Sequence, residues 1–309
     1  MTMRLLVVGA GATGGYFGGR LAQAGRDVTF LVRPERGSVL RERGLQIISP
    51  NGDAIIRPQL VTASDLNAPF DAILVAVKAY ALEAAMNDFA AAVGPQTIIL
   101  PVLNGMKHMQ LLSARFGGDA VVGCVCHIVA QLDADGRIRH MAPLPLSMAY
   151  GEMEGAISPR LEALDGFMQG AGFEARLSST IAREMWEKWV LLASLGGITC
   201  LMRGSVGAIV AAPGGKDFIV RFFEEVVAIA KAAGVAPSGE FLAAAERMLT
   251  AAGSNATSSM YRDLKNGNRI EADQIMGDLL ARRRGHQGLS TPLVEAAYTH
   301  LCVYQNRPK

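Results

Sequence analysis

Leu5, Leu6, Val7 and Val8 form an apolar run of the kind found in a strand covered on both faces, and the period then changes. Tyr16, Phe17, Leu21 and Ala22 recur at roughly helical spacing, Gly25 ends that segment, and residues 27–32 return to β-type composition. Residues 3–32 therefore predict a complete β-α-β unit. Further strand-like runs lie at 44–48, 72–77, 97–102 and 121–130. Those at 72–77 and 97–102 are continuously apolar, which suits a parallel sheet with helices on both faces. Beyond Gly136 the pattern shortens to alternating segments at 137–140 and 146–150, separated by Pro143 and Pro145, which read as strands extending the same domain.

Between the first strand and the first helix stands Gly9-x-Gly-x-x-Gly14. Gly9 permits the tight turn out of the strand, Gly11 lets the backbone approach a pyrophosphate, and Gly14 lets the helix pack close to the sheet. Gly9, Gly11, Ala12, Thr13 and Gly14 are then the candidate cofactor contacts, with phosphate at the positive end of the helix. A glycine turn without a ligand is the alternative, and the surrounding β-α-β pattern weighs against it. The end of the second strand selects the dinucleotide: an acidic residue there holds a ribose 2′-hydroxyl, whereas arginine accommodates a 2′-phosphate. The position carries Arg33, with Arg36 three residues on and Glu35 as the acidic candidate between them. Charge complementarity favours NADP(H) over NAD(H), against the plain alternative that Arg33 is a solvated loop charge.

From the N-cap cluster Ser178, Ser179 and Thr180 the chain becomes helical in character. Helices are expected at 180–200, 216–233, 238–252, 257–265, 270–283 and 291–305, broken at Gly214-Gly215, Gly234, Gly253, Asn266-Gly267 and Pro292. The expected fold is α/β: an N-terminal Rossmann-type doubly wound sheet, residues 1–177, followed by an all-α domain, residues 178–309. That is a dehydrogenase layout, with substrate expected in the cleft between the domains.

Composition narrows the function further. The chain has 309 residues, 50% hydrophobic and 19% charged, enough for two cores. No apolar run reaches the ~18 residues of a membrane span, and the N-terminus enters the first strand without a basic leader, so a cytoplasmic protein is expected. Thirty basic against twenty-eight acidic residues leave a formal charge of +2. The triplet Arg282-Arg283-Arg284 reads as a solvated helix end, and nucleic acid is not an expected partner. Four cysteines make no disulfide framework. Cys124-x-Cys126-His127 has the wrong spacing for a zinc knuckle, so no metal is expected.

Polar residues that follow apolar strands in a parallel sheet lie where ligands bind. Lys78 follows 72–77 and Asn104-Gly105 follows 97–103, although each alone could be an ordinary loop residue. In the helical half Lys188 lies between Trp186 and Trp189. Aromatic walls would desolvate it and make it a better proton donor; a lysine snorkelling from an amphipathic helix is the alternative. A second cluster runs Thr257-Ser258-Ser259-Met260, Asp263, Asn266-Gly267-Asn268, Glu271. On one straight helix Ser259 and Glu271 would be ~18 Å apart, but the Asn-Gly break lets Glu271 open a new helix that folds back toward Ser259.

These residues together resemble the ketopantoate reductase (2-dehydropantoate 2-reductase) family: Gly9-x-Gly-x-x-Gly14, Arg33, Val77-Lys78-Ala79, Leu103-Asn104-Gly105-Met106, Trp186-x-Lys188, Ser258-Ser259-Met260 and Glu271 occur in the family's order over nearly the whole chain. The resemblance implies a Rossmann domain plus a helical domain and NADPH-dependent reduction of 2-dehydropantoate to (R)-pantoate on the route to pantothenate and coenzyme A. It implies Lys188 as the general acid, Glu271 as the partner of the substrate hydroxyl, and Ser259 on the substrate carboxylate. It further implies Asn104 at cofactor and substrate, and Lys78 beside the nicotinamide ribose. One departure bears on the substrate. The family commonly carries asparagines one and two turns beyond the lysine, where this chain has Leu192 and Gly196. Another 2-keto acid, bulkier or less hydroxylated, is therefore the first alternative, and a non-catalytic NADP(H)-binding sensor a more distant one. A homodimer is compatible with the apolar richness of the helical half.

Overall fold

The computed structural model describes residues 3–141, 146–283 and 288–307; Pro143, Pro145 and Arg284 lie outside the described residues. The chain divides into two compact units. Met1–Leu103 with His108–Ala182 forms the first, and Asn104–Lys107 with Arg183–Lys309 the second.

The strands of the first unit are β1 (Arg4–Val8), β2 (Asp27–Leu31), β3 (Leu45–Ile48), β4 (Ala54–Ile56), β5 (Gln59–Val61), β6 (Ala72–Val75), β7 (Ile98–Pro101), β8 (Gly123–His127), β9 (Ala130–Leu132), β10 (Ile138–His140), β11 (Ser147–Gly151) and β12 (Glu174–Leu177). The main sheet is parallel in the order β5-β2-β1-β6-β7. The chain thus runs outward from β1 in one direction, then returns to β6 on its other side. That reversal places a topological switch point between β1 and β6, the edge where such sheets take ligands. Helices α1 (Ala12–Gln23), α2 (Pro34–Arg43), α3 (Leu82–Phe89), α4 (Lys107–Phe116) and α5 (Pro159–Met168) complete this half, α4 beginning at its junction with the second unit. Leu5 and Val7 of β1, Tyr16, Phe17 and Leu21 of α1, and Phe30 of β2 are buried in one core.

Two smaller sheets, β4-β3-β10-β9 and β12-β11-β8, stand beside the main one. The run 121–130, expected as one strand, is split between them as β8 and β9, because residues 128–129 belong to neither strand and the Val129 carbonyl accepts from the Met141 amide. β4, β5 and β12 have no counterpart in the sequence reading; at three or four residues each they are too short to show a period. Asp133 shapes the β9–β10 turn, accepting from the Asp135 and Arg137 amides and from the side chains of Arg137 (2.8 Å) and Arg139 (3.0 Å).

The second unit is helical: α6 (Ile181–Met202), α7 (Val206–Ala211), α8 (Gly215–Ala232), α9 (Gly239–Leu249), α10 (Ser259–Lys265), α11 (Asp278–Ala281) and α12 (Pro292–Gln305). Ser238 and Ser258 cap α9 and α10 through the Phe241 and Tyr261 amides. α7, six residues between glycines, lies outside the expected helices. The helix expected over 270–283 is different in kind. Glu271 stands at its start, its carbonyl accepting from the Ile275 amide (3.0 Å), but after Ala272 residues Asp273–Gly277 form a π-turn, and Asp278–Ala281 returns to α-helix. Among the described residues no helix is long and apolar enough to cross a membrane.

Candidate active site

In the first unit the candidate residues sit at the carboxyl ends of adjacent parallel strands: the 9–14 loop after β1, Arg33 after β2 and Lys78 after β6. Gly9 has φ +102°, and a Cβ on Gly14 would lie 2.3 Å from the Gly9 carbonyl oxygen and 2.7 Å from the Ala76 side chain. No other residue allows that approach of helix to loop. Around Gly11, by contrast, a Cβ would meet nothing within 4 Å. The loop is thus tight where it packs on the protein and open where α1 begins, with Gly11 as the N-cap residue. An open cradle at the positive end of a helix fits a pyrophosphate.

Arg33 is exposed, and its carbonyl accepts from the Gly37 amide at the start of α2, so its side chain leaves the strand end toward solvent. Lys78 is likewise exposed at the head of a short 3₁₀ turn, Ala79–Ala81. Arg36 behaves differently. Its guanidinium donates to the carbonyls of Ala10 (3.3 Å) and Gly136 (3.1 Å), tying the glycine loop to the β9–β10 turn, and burial lowers its pKa. On the buried side of α1, Tyr16 and Ser49 share a hydrogen bond (3.2 Å) and Ser49 pairs with His140 Nδ1 (2.9 Å), so the same helix is fastened to the β3–β10 sheet. Neither link has a local sequence signal, because the partners are far apart in the chain.

In the second unit Asn104 is half-buried and Gly105 has φ +79°. Gln274 Nε2, from the π-turn, donates to the Asn104 carbonyl at 2.7 Å. Lys188 is half-buried on α6, one turn before half-buried Leu192 and two before buried Gly196. Met260 covers Gly196: a Cβ there would lie 2.9 Å from the methionine methyl. Ser258 and Ser259 separate by role. Ser258 is buried, caps α10 and bonds Thr199 of α6 (3.1 Å), whereas Ser259 is exposed at the first position of α10. Glu271 is half-buried, with Ala272 between it and the π-turn.

Trp186 and Trp189 are buried with ring centroids 4.8 Å apart, and the Arg282 guanidinium lies 5.2 Å from each centroid. The structure corrects one expectation here: Arg282 and Arg283 are not a solvated helix end. Arg282 pairs with Asp278 (3.2 Å), and Arg283 bonds Thr291 and Glu295. Cys124 and Cys126 lie buried along β8 while His127 is exposed and contacts Ser147. Among the described residues no group of three or more His, Cys, Asp or Glu side chains could hold a metal.

Comparison with known proteins agrees on one family. Residues 5–155 match the model described as ketopantoate reductase PanE/ApbA, and residues 180–305 match its C-terminal domain. The chain is 33% identical over 303 residues to the uncharacterized oxidoreductase YkpB of Bacillus subtilis (strain 168), covering 98% of this chain and 99% of that one. It is 30% identical to the 2-dehydropantoate 2-reductase of Halobacterium salinarum, covering 94% and 95%. A crystal structure of 2-dehydropantoate 2-reductase from Geobacter metallireducens superposes with TM-score 0.87 at 27% identity, covering 97% of this chain and 99% of that one.

Proposed function

Because the chain belongs to the ketopantoate reductase family, whose members are nicotinamide-dependent oxidoreductases acting on CH–OH and C=O groups, we propose that it uses NADPH to reduce 2-dehydropantoate to (R)-pantoate. The observation that carries this reading lies in the second unit. Asn104, the helix of Lys188 and the segment of Glu271 are distant in sequence, yet all join at the π-turn, through Gln274 to Asn104 (2.7 Å) and Trp189 to Ile275 (3.0 Å).

NADPH, when bound, supplies a hydride to the keto carbon. Gly9, Gly11, Ala12, Thr13 and Gly14 hold its pyrophosphate by backbone amides at the start of α1, and Arg33 takes the 2′-phosphate. Lys78 and Asn104 lie toward the nicotinamide end in this reading. The Lys188 ammonium donates a proton to the carbonyl oxygen as negative charge builds there, and its charge stabilises that oxygen before the proton moves. Glu271 accepts a hydrogen bond from the substrate hydroxyl, and Ser259 donates one to the substrate carboxylate. Binding energy at these two groups orients the ketone for attack.

Leu192, Gly196 and the methyl of Met260 favour a second reading on the same chemistry: a 2-keto acid with an apolar arm. Both are tested by supplying NADPH with 2-dehydropantoate, 2-oxoisovalerate and a bulkier branched 2-keto acid, and following loss of nicotinamide absorbance. The first reading expects the highest kcat/KM for 2-dehydropantoate, and Glu271→Ala should reduce it most for that substrate. If the wild type prefers an unhydroxylated acid and Glu271→Ala leaves that activity untouched, the second reading holds. No oxidation with any 2-keto acid would reject both.

A further inference from the structure

A π-helical turn costs hydrogen-bond geometry and occurs mostly where function retains it. Here residues Asp273–Gly277 form one in an otherwise short helix, with Ala272 between it and Glu271. Relative to an α-helix the extra residue turns what precedes it by ~100° about the axis. Met276 and Leu279 thereby keep their places in the core while Gln274, only 6% exposed, is aimed at the 104–107 segment. The two backbones abut as well: a Cβ on Gly105 would lie 2.7 Å from the Gln274 carbonyl oxygen.

The turn is gripped from its other sides. Trp189, 1% exposed and the chain neighbour of Lys188, donates its indole N–H to the Ile275 carbonyl. The Ala272 amide donates to Gln305, and the Tyr298 hydroxyl donates to Asp273 at 2.6 Å. Each residue from 272 to 275 is thus tied by side chain or backbone to another part of the second unit.

We propose, on the basis of the reductase reading above, that Gln274 and Trp189 are positioning residues of the reaction. Gln274 acts through Asn104 and Trp189 through Lys188, with the π-turn as the common frame that also places Glu271. Neither touches substrate or cofactor. Their effect is on the alignment of three groups, and misplacement by about 1 Å is enough to cost a reaction up to ~10²-fold.

The test is a set of variants assayed with the best substrate of the 2-keto acid panel: Gln274→Met, which keeps length and removes the donor, Trp189→Phe, which keeps an aromatic ring and removes the N–H, Asn104→Ala, Lys188→Ala, and the double variant of positions 104 and 274. Gln274→Met is expected to lower kcat/KM about tenfold or more in the wild-type background and by less than about twofold in the Asn104→Ala background, because its effect passes through Asn104. Trp189→Phe is expected to lower kcat several-fold while KM and NADPH affinity, read by nicotinamide fluorescence, stay near wild type. If Gln274→Met does not fold, Trp189→Phe decides. Wild-type kinetics in the folded Gln274 and Trp189 variants, or an equal loss from Gln274→Met in both backgrounds, overturns the proposal. An active Asn104→Ala enzyme removes the Gln274 arm, whereas an active Lys188→Ala enzyme rejects the reductase reading itself.

Discussion

The two units present their candidate groups in opposite ways. In the first, the residues of the candidate nucleotide cradle are contiguous, and the loop is shaped by its own backbone: a positive φ at Gly9, a contact at Gly14 that excludes any Cβ, and open space at Gly11. In the second, the hydrogen bonds that assemble the candidate site join residues 170 and 86 positions apart. A site built from local backbone geometry announces itself in sequence; one built from tertiary contacts does not. The difference also predicts how each fails. A substitution in the cradle should act on nucleotide binding or on packing of α1, and a substitution around the π-turn should act on turnover.

The largest effect is expected at Gly14. Gly14→Val would force side-chain atoms into the Gly9 carbonyl and Ala76, a contact α1 cannot relieve without leaving the sheet. Nucleotide binding should disappear in a fluorescence titration, and thermal unfolding should shift down by several degrees. Gly11→Ala sharpens the contrast, since its methyl meets no protein atom. That variant should keep wild-type thermal stability and still bind NADPH more weakly; unchanged affinity would remove the pyrophosphate from this loop.

A smaller and more selective loss is expected at Arg33. Replacing it by alanine should weaken NADPH by about 1.5–3 kcal/mol, the range for a hydrogen bond to a charged group, with little change for NADH. Equal loss for both would mean that the exposed side chain does not read the 2′-phosphate.

The sequence pattern revealed four of the five main-sheet strands, the glycine turn and most helices because each rests on a run of at least four residues with a clear period. It did not reveal β4, β5 and β12, which are too short, or the π-turn, whose five residues look helical by composition. The pattern marks Lys188 by its neighbours Trp186 and Trp189, but gives no sign that Arg282, almost a hundred positions away, lies over both rings. Gln274 carried no signal at all. Its importance appears only once Asn104 is seen against it.

At Leu192 the expected effect is modest. Leu192→Asn would add a hydrogen-bonding group one turn beyond Lys188, and a gained neutral hydrogen bond is worth about 0.5–1.5 kcal/mol. The ratio of kcat/KM for 2-dehydropantoate over 2-oxoisovalerate should rise by up to about tenfold. A ratio that stays constant would show that this helix face does not meet the part of the substrate in which the two differ.

The smallest effect belongs to the β9–β10 turn, tied to the glycine loop by Arg36. Desolvation pushes the Asp133 carboxyl up, but bonds from the Arg137 amide and the Arg137 and Arg139 side chains outweigh it and hold the group at about 2. A carboxyl lowered in the folded state stabilises above its unfolded pKa, near ~4, and the benefit fades as pH falls toward 2. The difference in melting temperature between wild type and Asp133→Asn should therefore be present at pH 6 and shrink between pH 4 and pH 2. A difference independent of pH would assign the effect to turn geometry alone.

The division of labour between the units is tested most directly by Lys188→Ala, measured twice on one preparation. The account predicts NADPH binding within about twofold of wild type and turnover of 2-dehydropantoate lower by at least ~10²-fold, the usual scale for a lost general acid. Near-wild-type turnover with intact binding would contradict it and leave Lys188 a surface lysine on a structural helix.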